Sequence, residues 1–148
     1  MALLGSTVAA CGSPSPPQDV DELAAQLDRA RADSQLATDA GSATPPPPTA
    51  QALTAVASER SAHAQALSDE LVRMLGKDAP TTTPTTTTAD SAKAPTTADV
   101  IAALRQSADA AAQLAARQSG YRAGLLGSIA ASCTAAYTVA LAPAKAAQ

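Results

Sequence analysis

This chain of 148 residues has no Phe and no Trp, and its two Tyr are the only aromatic residues. Its core therefore cannot depend on aromatic packing, which usually supplies the largest buried areas. Val, Ile and aromatic residues do not alternate at a period of two, so strands are not predicted. Ala is abundant instead, with 40 residues, and it has the best helix propensity. The composition predicts helices that pack closely through small side chains.

Chemically active residues are also few, with one His and two Cys. The net charge is −3 and the Lys and Arg residues are scattered, so the basic surface of a nucleic-acid binder is missing. Neither a Gly-rich phosphate loop nor a Gly-x-Ser-x-Gly elbow is present. We therefore expect no nucleic-acid partner, no cofactor and no enzymatic activity.

The most specific pattern lies at the amino terminus, MALLGSTVAACGSPSPP. Residues 8–11 (VAAC) match the bacterial lipobox, in which small residues let a signal peptidase cut before a Cys that carries a diacylglyceryl group. Each buried methylene of an acyl chain contributes about 0.8 kcal/mol, so two or three chains hold a protein firmly. Cys11 is the predicted lipidation site. The predicted partner is a membrane, and the predicted location is the outer face of the cytoplasmic membrane or the cell envelope.

The segment before Cys11 departs from an ordinary signal. Only ten residues precede it, and none is Lys or Arg, whereas secretory signals usually have a positive start and about 15–30 residues. We expect an upstream start or a truncated signal. The alternative is an ordinary terminus whose Cys happens to follow two Ala. Residues 1–18 are interpreted as a signal remnant, the lipobox and a flexible, disordered tether.

Breaks rich in Pro and Thr divide the rest of the chain into four predicted helices. They lie at about residues 19–40, 50–77, 97–119 and 121–142, and a tail follows at 143–148. In the first helix one face carries Val20, Leu23, Leu27, Ala30 and Ser34, while Asp21, Glu22, Asp28 and Asp33 lie away from that face. Gly41 is expected to end this helix, before a stiff polyproline spacer at residues 43–48.

The second and third helices have similar apolar faces. Thr49 and Gly76 are the expected ends of the second helix, and Thr96 with Asp99 predicts a capping box for the third. The Thr-rich link at 78–96 has too little apolar surface to fold; it is either a glycosylated stalk or a plain flexible loop. Gly120 is expected to separate helices three and four, although one bent helix is an alternative. The predicted apolar faces are Leu53, Ala57, Ala64, Leu67, Leu71, Met74 and Leu75, then Val100, Leu104, Ala108, Ala111, Leu114 and Ala115.

The fourth helix has no charged residue from 123 to 142, which is the length of a membrane span. Its residues are mainly Ala, Ser, Gly and Thr, however, which are weakly apolar. A helix that is apolar on all sides also suits the centre of a bundle. We favour the central helix and keep the membrane span as the alternative.

Two segments, SERSAHAQAL (58–67) and SGYRAGLLGSIAASC (119–133), resemble a group of actinobacterial alanine-rich exported proteins, some related to ferritin-like four-helix bundles. The resemblance implies an all-α fold of up-down helices and an envelope location, and it includes no catalytic motif. The long link between helices two and three is compatible with the crossover of ferritin-like bundles.

Three residues of the second helix are candidate site residues. The single His excludes a ferritin-type di-iron site, which needs two, but Glu59 and His63 could supply two ligands to a divalent metal. The alternative is a surface ion pair. Arg60 lies near the centre of the apolar stripe, either as a structural residue that reaches solvent or an acid on a neighbouring helix, or as the anchor of an anion or polar ligand. Cys133 is expected to act as a small buried hydrophobe.

Three functions are consistent with these features. The first is a non-enzymatic envelope lipoprotein, acting as a scaffold or as a binding module for another envelope protein. The second is a carrier of a small apolar ligand, such as a lipid or a cofactor; His63 and Met74 would be the only haem ligands, and their i, i+11 spacing argues against a shared iron. The third is a degenerate ferritin-like protein with a weak metal site at Glu59 and His63.

Overall fold

The computed structural model describes residues 17–76 and 93–142, and these residues form helices without any strand. Four helices follow one another along the chain: α1 (Pro17–Ser42), α2 (Pro47–Leu75), α3 (Thr97–Ala115) and α4 (Gly120–Ala135). A π-helical turn, Ala136–Ala140, continues α4. The predicted all-α four-helix bundle is confirmed.

Side-chain contacts fix the direction of each helix. On α1, Ser34 contacts Ala57 of α2 and the later Gly41 faces Leu53, so α1 and α2 are antiparallel. Helix α1 is also antiparallel to α3, and α2 is antiparallel to α4. The contacts that show this are Asp33–Ser107 and Glu22–Arg117 for the first pair, and Glu59–Ser132 and Met74–Arg122 for the second. Helices α2 and α3 therefore run parallel, so the end of α2 and the start of α3 lie at opposite ends of the bundle.

The core is built almost entirely of Leu and Ala. Helix α1 packs closely against both α2 and α3, and Ala30, Ala37 and Ala111 are fully buried. Small side chains at these positions let the helix backbones approach one another, as the composition predicted. The large core side chains are Leu23, Leu27, Leu53, Val56, Leu67, Leu71, Val100, Leu104, Leu114, Leu126, Ile129 and Leu141.

Helix α4 does not occupy the centre of the bundle, contrary to expectation. Its buried face carries Leu126, Ile129 and Cys133, and its opposite face is exposed. The 21 residues Gly120–Ala140 are long and apolar enough to cross a membrane, and an 18-residue window within them has a mean hydropathy of 1.4 with 22% of its residues buried. In a bundle of four helices each helix gives one face to the common core, so no helix is enclosed on all sides.

The first two helices are connected differently from the prediction. Pro47 and Pro48 are the first residues of α2, where a missing backbone N–H costs nothing. The polyproline spacer therefore does not extend over residues 43–48. The residue before α2 is Pro46 rather than Thr49, and no side chain caps this helix.

The ends of α3 follow the sequence pattern more closely. Thr96 and Asp99 form the predicted capping box, in which each side chain bonds the backbone N–H of the other residue. The helix ends at Ala115, earlier than expected. Gly120 has a φ of 57°, which favours Gly, and begins α4. Helices α3 and α4 are thus separate, and the single bent helix is excluded.

Candidate functional site

A polar network crosses the interior of the bundle and joins α1, α2 and α3. Nε and Nη2 of Arg60 on α2 lie 3.1 and 3.0 Å from Oδ2 of Asp33 on α1. The hydroxyl of Ser107 on α3 donates to the same oxygen at 2.5 Å. The side chains of Arg60 and Asp33 are 3% and 6% exposed. Burying two charges costs free energy, and an added hydrogen bond such as that of Ser107 helps to offset it.

His63 extends this network towards the surface. Its Nδ1 lies 3.2 Å from Nη1 of Arg60, which donates the hydrogen bond because a guanidinium has no acceptor. Burial lowers the pKa of the imidazole, the positive charge of Arg60 lowers it further, and Glu59 partly opposes both effects. The imidazole is therefore held neutral, with its proton on Nε2.

The buried position of Asp33 corrects the sequence analysis, which placed this residue away from the apolar face. Over the whole residue, Asp33 is 4% exposed. The predicted stripe allowed for one neighbouring helix, whereas α1 packs against α2 on one side and α3 on the other. Its buried arc is therefore wider than the stripe, and Asp33 lies where it contacts both Arg60 of α2 and Ser107 of α3.

Ser107 was not predicted, although the sequence contains a signal for it. The buried face of α3 includes Val100, Leu104, Ala111 and Leu114. Ser107 belongs to the same face, because steps of four and three residues alternate along it from Val100 through Ser107 to Leu114. A polar residue at such a position needs a buried partner. That partner is Asp33.

The two candidate metal ligands lie next to each other on α2 but contact different groups. Oε2 of Glu59 accepts a hydrogen bond from the hydroxyl of Ser132 at 3.0 Å, while His63 faces Arg60. Across residues 17–76 and 93–142, no group of three or more His, Cys, Asp or Glu side chains is arranged to hold a metal ion. The arrangement of these two residues gives no specific support to a metal site.

The remaining sulfur-containing candidates lie on α2 and α4. Cys133 is 1% exposed, and burial raises the pKa of its thiol although the charge of Arg60 opposes this effect. The sulfur of Met74 accepts a hydrogen bond from Nη1 of Arg122 at 3.6 Å.

Cys11 lies outside the described residues, as does most of the Thr-rich link, so their predicted roles stay predictions.

No family model, curated protein or solved structure matches this chain. The resemblance of segments 58–67 and 119–133 to exported alanine-rich proteins therefore stays a prediction from the sequence.

Proposed function

We propose that this protein is a membrane-anchored envelope lipoprotein whose helical bundle acts as a non-enzymatic scaffold or binding module. The observation that carries the proposal is the lipobox ending at Cys11, six residues before α1 begins at Pro17. Six residues of chain span at most about 20 Å. A lipid on Cys11 would therefore hold the amino-terminal end of α1 close to the bilayer.

The end of the bundle where α1 begins has features that suit a membrane surface. The end of α3 meets the start of α1 there, with Gln118 donating to Asp19 at 3.2 Å, and α2 ends beside the start of α4. Val72 and Tyr121 are exposed at this end, by 51% and 65%. Tyr is enriched where membrane and water meet, because its ring is apolar and its hydroxyl is polar.

The interior of the bundle supports a scaffold more than a carrier. Arg60, Asp33 and Ser107 join α1, α2 and α3 in the interior, and the rest of the core is filled mainly by Leu and Ala. A ligand that entered this space would separate a buried ion pair, which is strongly unfavourable. Binding to the outer surface of the bundle disturbs neither the pair nor the core.

The anchor is tested by intact mass spectrometry of the protein expressed with its native upstream region in a bacterium that lipidates proteins. We expect loss of the signal, an added diacylglyceryl mass, and recovery in the membrane fraction. Cys11→Ala should abolish the added mass and release the protein, whereas the matched variant Cys133→Ala should keep both. An unmodified chain that begins at Met1 and stays in the cytosol would overturn the proposal.

A further inference from the structure

A surface groove of about 380 Å³ lies between α1 and α3, on the outer side of the buried network. Ala25, Ala32 and Ala103 give it an apolar wall of small side chains, and Gln106 adds an amide. Small-molecule sites usually have volumes of about 300–1,000 Å³ and combine apolar walls with a few polar groups. The groove therefore has room for a small ligand of a few carbon atoms.

Arg29 is the unusual residue of this groove. It is partly buried, and its Nε is inaccessible to solvent yet has no hydrogen-bond partner among the residues described. Within the same residues, no carboxylate pairs with its guanidinium. A partly buried cation without a counter-ion is unfavourable. An anion in the groove cannot reach the inaccessible Nε, but it would supply a counter-ion through the terminal Nη atoms.

The acids of the groove do not cancel this charge. Asp33 is already paired with Arg60 at 3.0 Å. Asp28 is 69% exposed and faces Arg31 at 3.8 Å. With both acids facing other cations, the charge of Arg29 is the one left without a counterpart in the groove.

We propose that the groove between α1 and α3 binds a small organic carboxylate. The carboxylate group pairs with the guanidinium of Arg29, whose planar donors match the two oxygens of such a group. The apolar part of the ligand covers Ala25, Ala32 and Ala103, and Gln106 donates a hydrogen bond at the edge. This site is formed by α1 and α3 alone, so it does not depend on the proposed lipid anchor.

The site is tested by NMR titration of the ¹⁵N-labelled 148-residue chain with hexanoate, using hexanol as the uncharged match. We expect hexanoate to cause saturable amide shifts confined to residues 25–33 and 103–106, and hexanol to cause much weaker ones. Arg29→Gln should weaken hexanoate binding at least about tenfold. The control variant Arg117→Gln removes a cation at the end of α3 and should leave binding unchanged.

Arg29→Gln is expected to keep the wild-type melting temperature, because the removed Nε makes no hydrogen bond, so lost binding cannot be attributed to unfolding. Arg29→Lys keeps the charge without the paired donors and should bind with intermediate affinity. The proposal is overturned if hexanoate causes no saturable shifts in the groove. It is equally overturned if hexanol binds as well as hexanoate, or if Arg29→Gln binds as tightly as wild type.

Discussion

Asp33 on α1 and Arg60 on α2 form an ion pair at 3.0 Å inside a core that consists mainly of Leu and Ala. Ser107 joins the pair from α3. A slide of any of these helices by one turn would separate the partners and leave a charge buried alone, which costs several kcal/mol, on the order of 3–5. Ala and Leu faces can pack in more than one register, and we infer that this network selects one of them.

Arg60→Ala is expected to lower the free energy of unfolding by about 3–5 kcal/mol, because it leaves the buried carboxylate of Asp33 without its counter-ion. Urea denaturation followed by circular dichroism measures this loss. The control is Arg117→Ala, which removes an exposed pair with Glu22 at 2.9 Å and should cost about 0–1 kcal/mol.

The double variant Asp33→Ala/Arg60→Met separates lost charge pairing from lost packing. It removes both charges and keeps an unbranched side chain in the space of the Arg stem. We expect it to be more stable than Arg60→Ala alone. A double variant as unstable as the single one would show that an uncompensated charge is not the cause.

Ser107→Ala is expected to lower the free energy of unfolding by about 1.5–3 kcal/mol, since it removes a hydrogen bond to a charged and buried acceptor. The same denaturation measurement checks it. Ser128 is the matched control, because its exposed hydroxyl bonds only the carbonyl of Leu125 in its own helix. Equal effects of Ser107→Ala and Ser128→Ala would contradict a role for Ser107 in joining α3 to the network.

The sequence was sufficient to predict the helices and the unusual position of Arg60, because both follow from the periodicity of one segment. A charge between Leu53 and Leu67 is visible on a helical projection. The acid that pairs with it is not visible there, since Asp33 is buried where α1 meets both α2 and α3. Which helices become neighbours is a property of the whole chain, and one helix's periodicity does not contain it.

The arrangement of the helices also explains most of the other differences between the predictions and the structure. The exposed outer face of α4 and the groove around Arg29 depend on how the helices are arranged, whereas the Thr96–Asp99 capping box depends on four consecutive residues and was predicted. The run of Pro residues predicts a spacer that includes Pro47 and Pro48, because Pro usually interrupts helices. At the first positions of a helix, however, Pro is favoured, so that local pattern had two interpretations.

The neutral state of His63 gives stability a pH dependence. The unfolded chain binds a proton on this imidazole below about pH 6.5, whereas the lowered pKa keeps the folded protein from binding it until the pH is lower. Stability should therefore fall as the pH drops through about 6.5, and this fall should end below the folded pKa. Denaturation from pH 7.5 to 5 measures it. His63→Gln should have a flatter profile, and identical profiles would contradict the assignment.

The capping box of α3 gives stability a second pH dependence, which has the same sign as that of His63 but lies at lower pH. The hydrogen bonds from the side chain and backbone of Thr96 lower the pKa of Asp99. This stabilisation is present above the unfolded Asp pKa, about 3.9, and is lost as the pH falls through the lower folded value. Thr96→Ala should cost about 1 kcal/mol at pH 7, measured by thermal denaturation. Thr97→Ala, one residue further along, is the control and should cost less.

The thiol of Cys133 should be unreactive in the folded protein for two reasons. It is 1% exposed, and burial raises its pKa, so little of the nucleophilic thiolate forms at pH 8. The test uses a Cys11→Ser variant, in which Cys133 is the one remaining Cys of the sequence. A disulfide reagent that releases a coloured thiol should react with Cys133 slowly in buffer and fast in guanidinium chloride. Arg60→Ala should accelerate the reaction in buffer, because the weakened bundle opens more often. Fast reaction of the folded Cys11→Ser protein would mean that the face of α4 carrying Cys133 does not pack on the core.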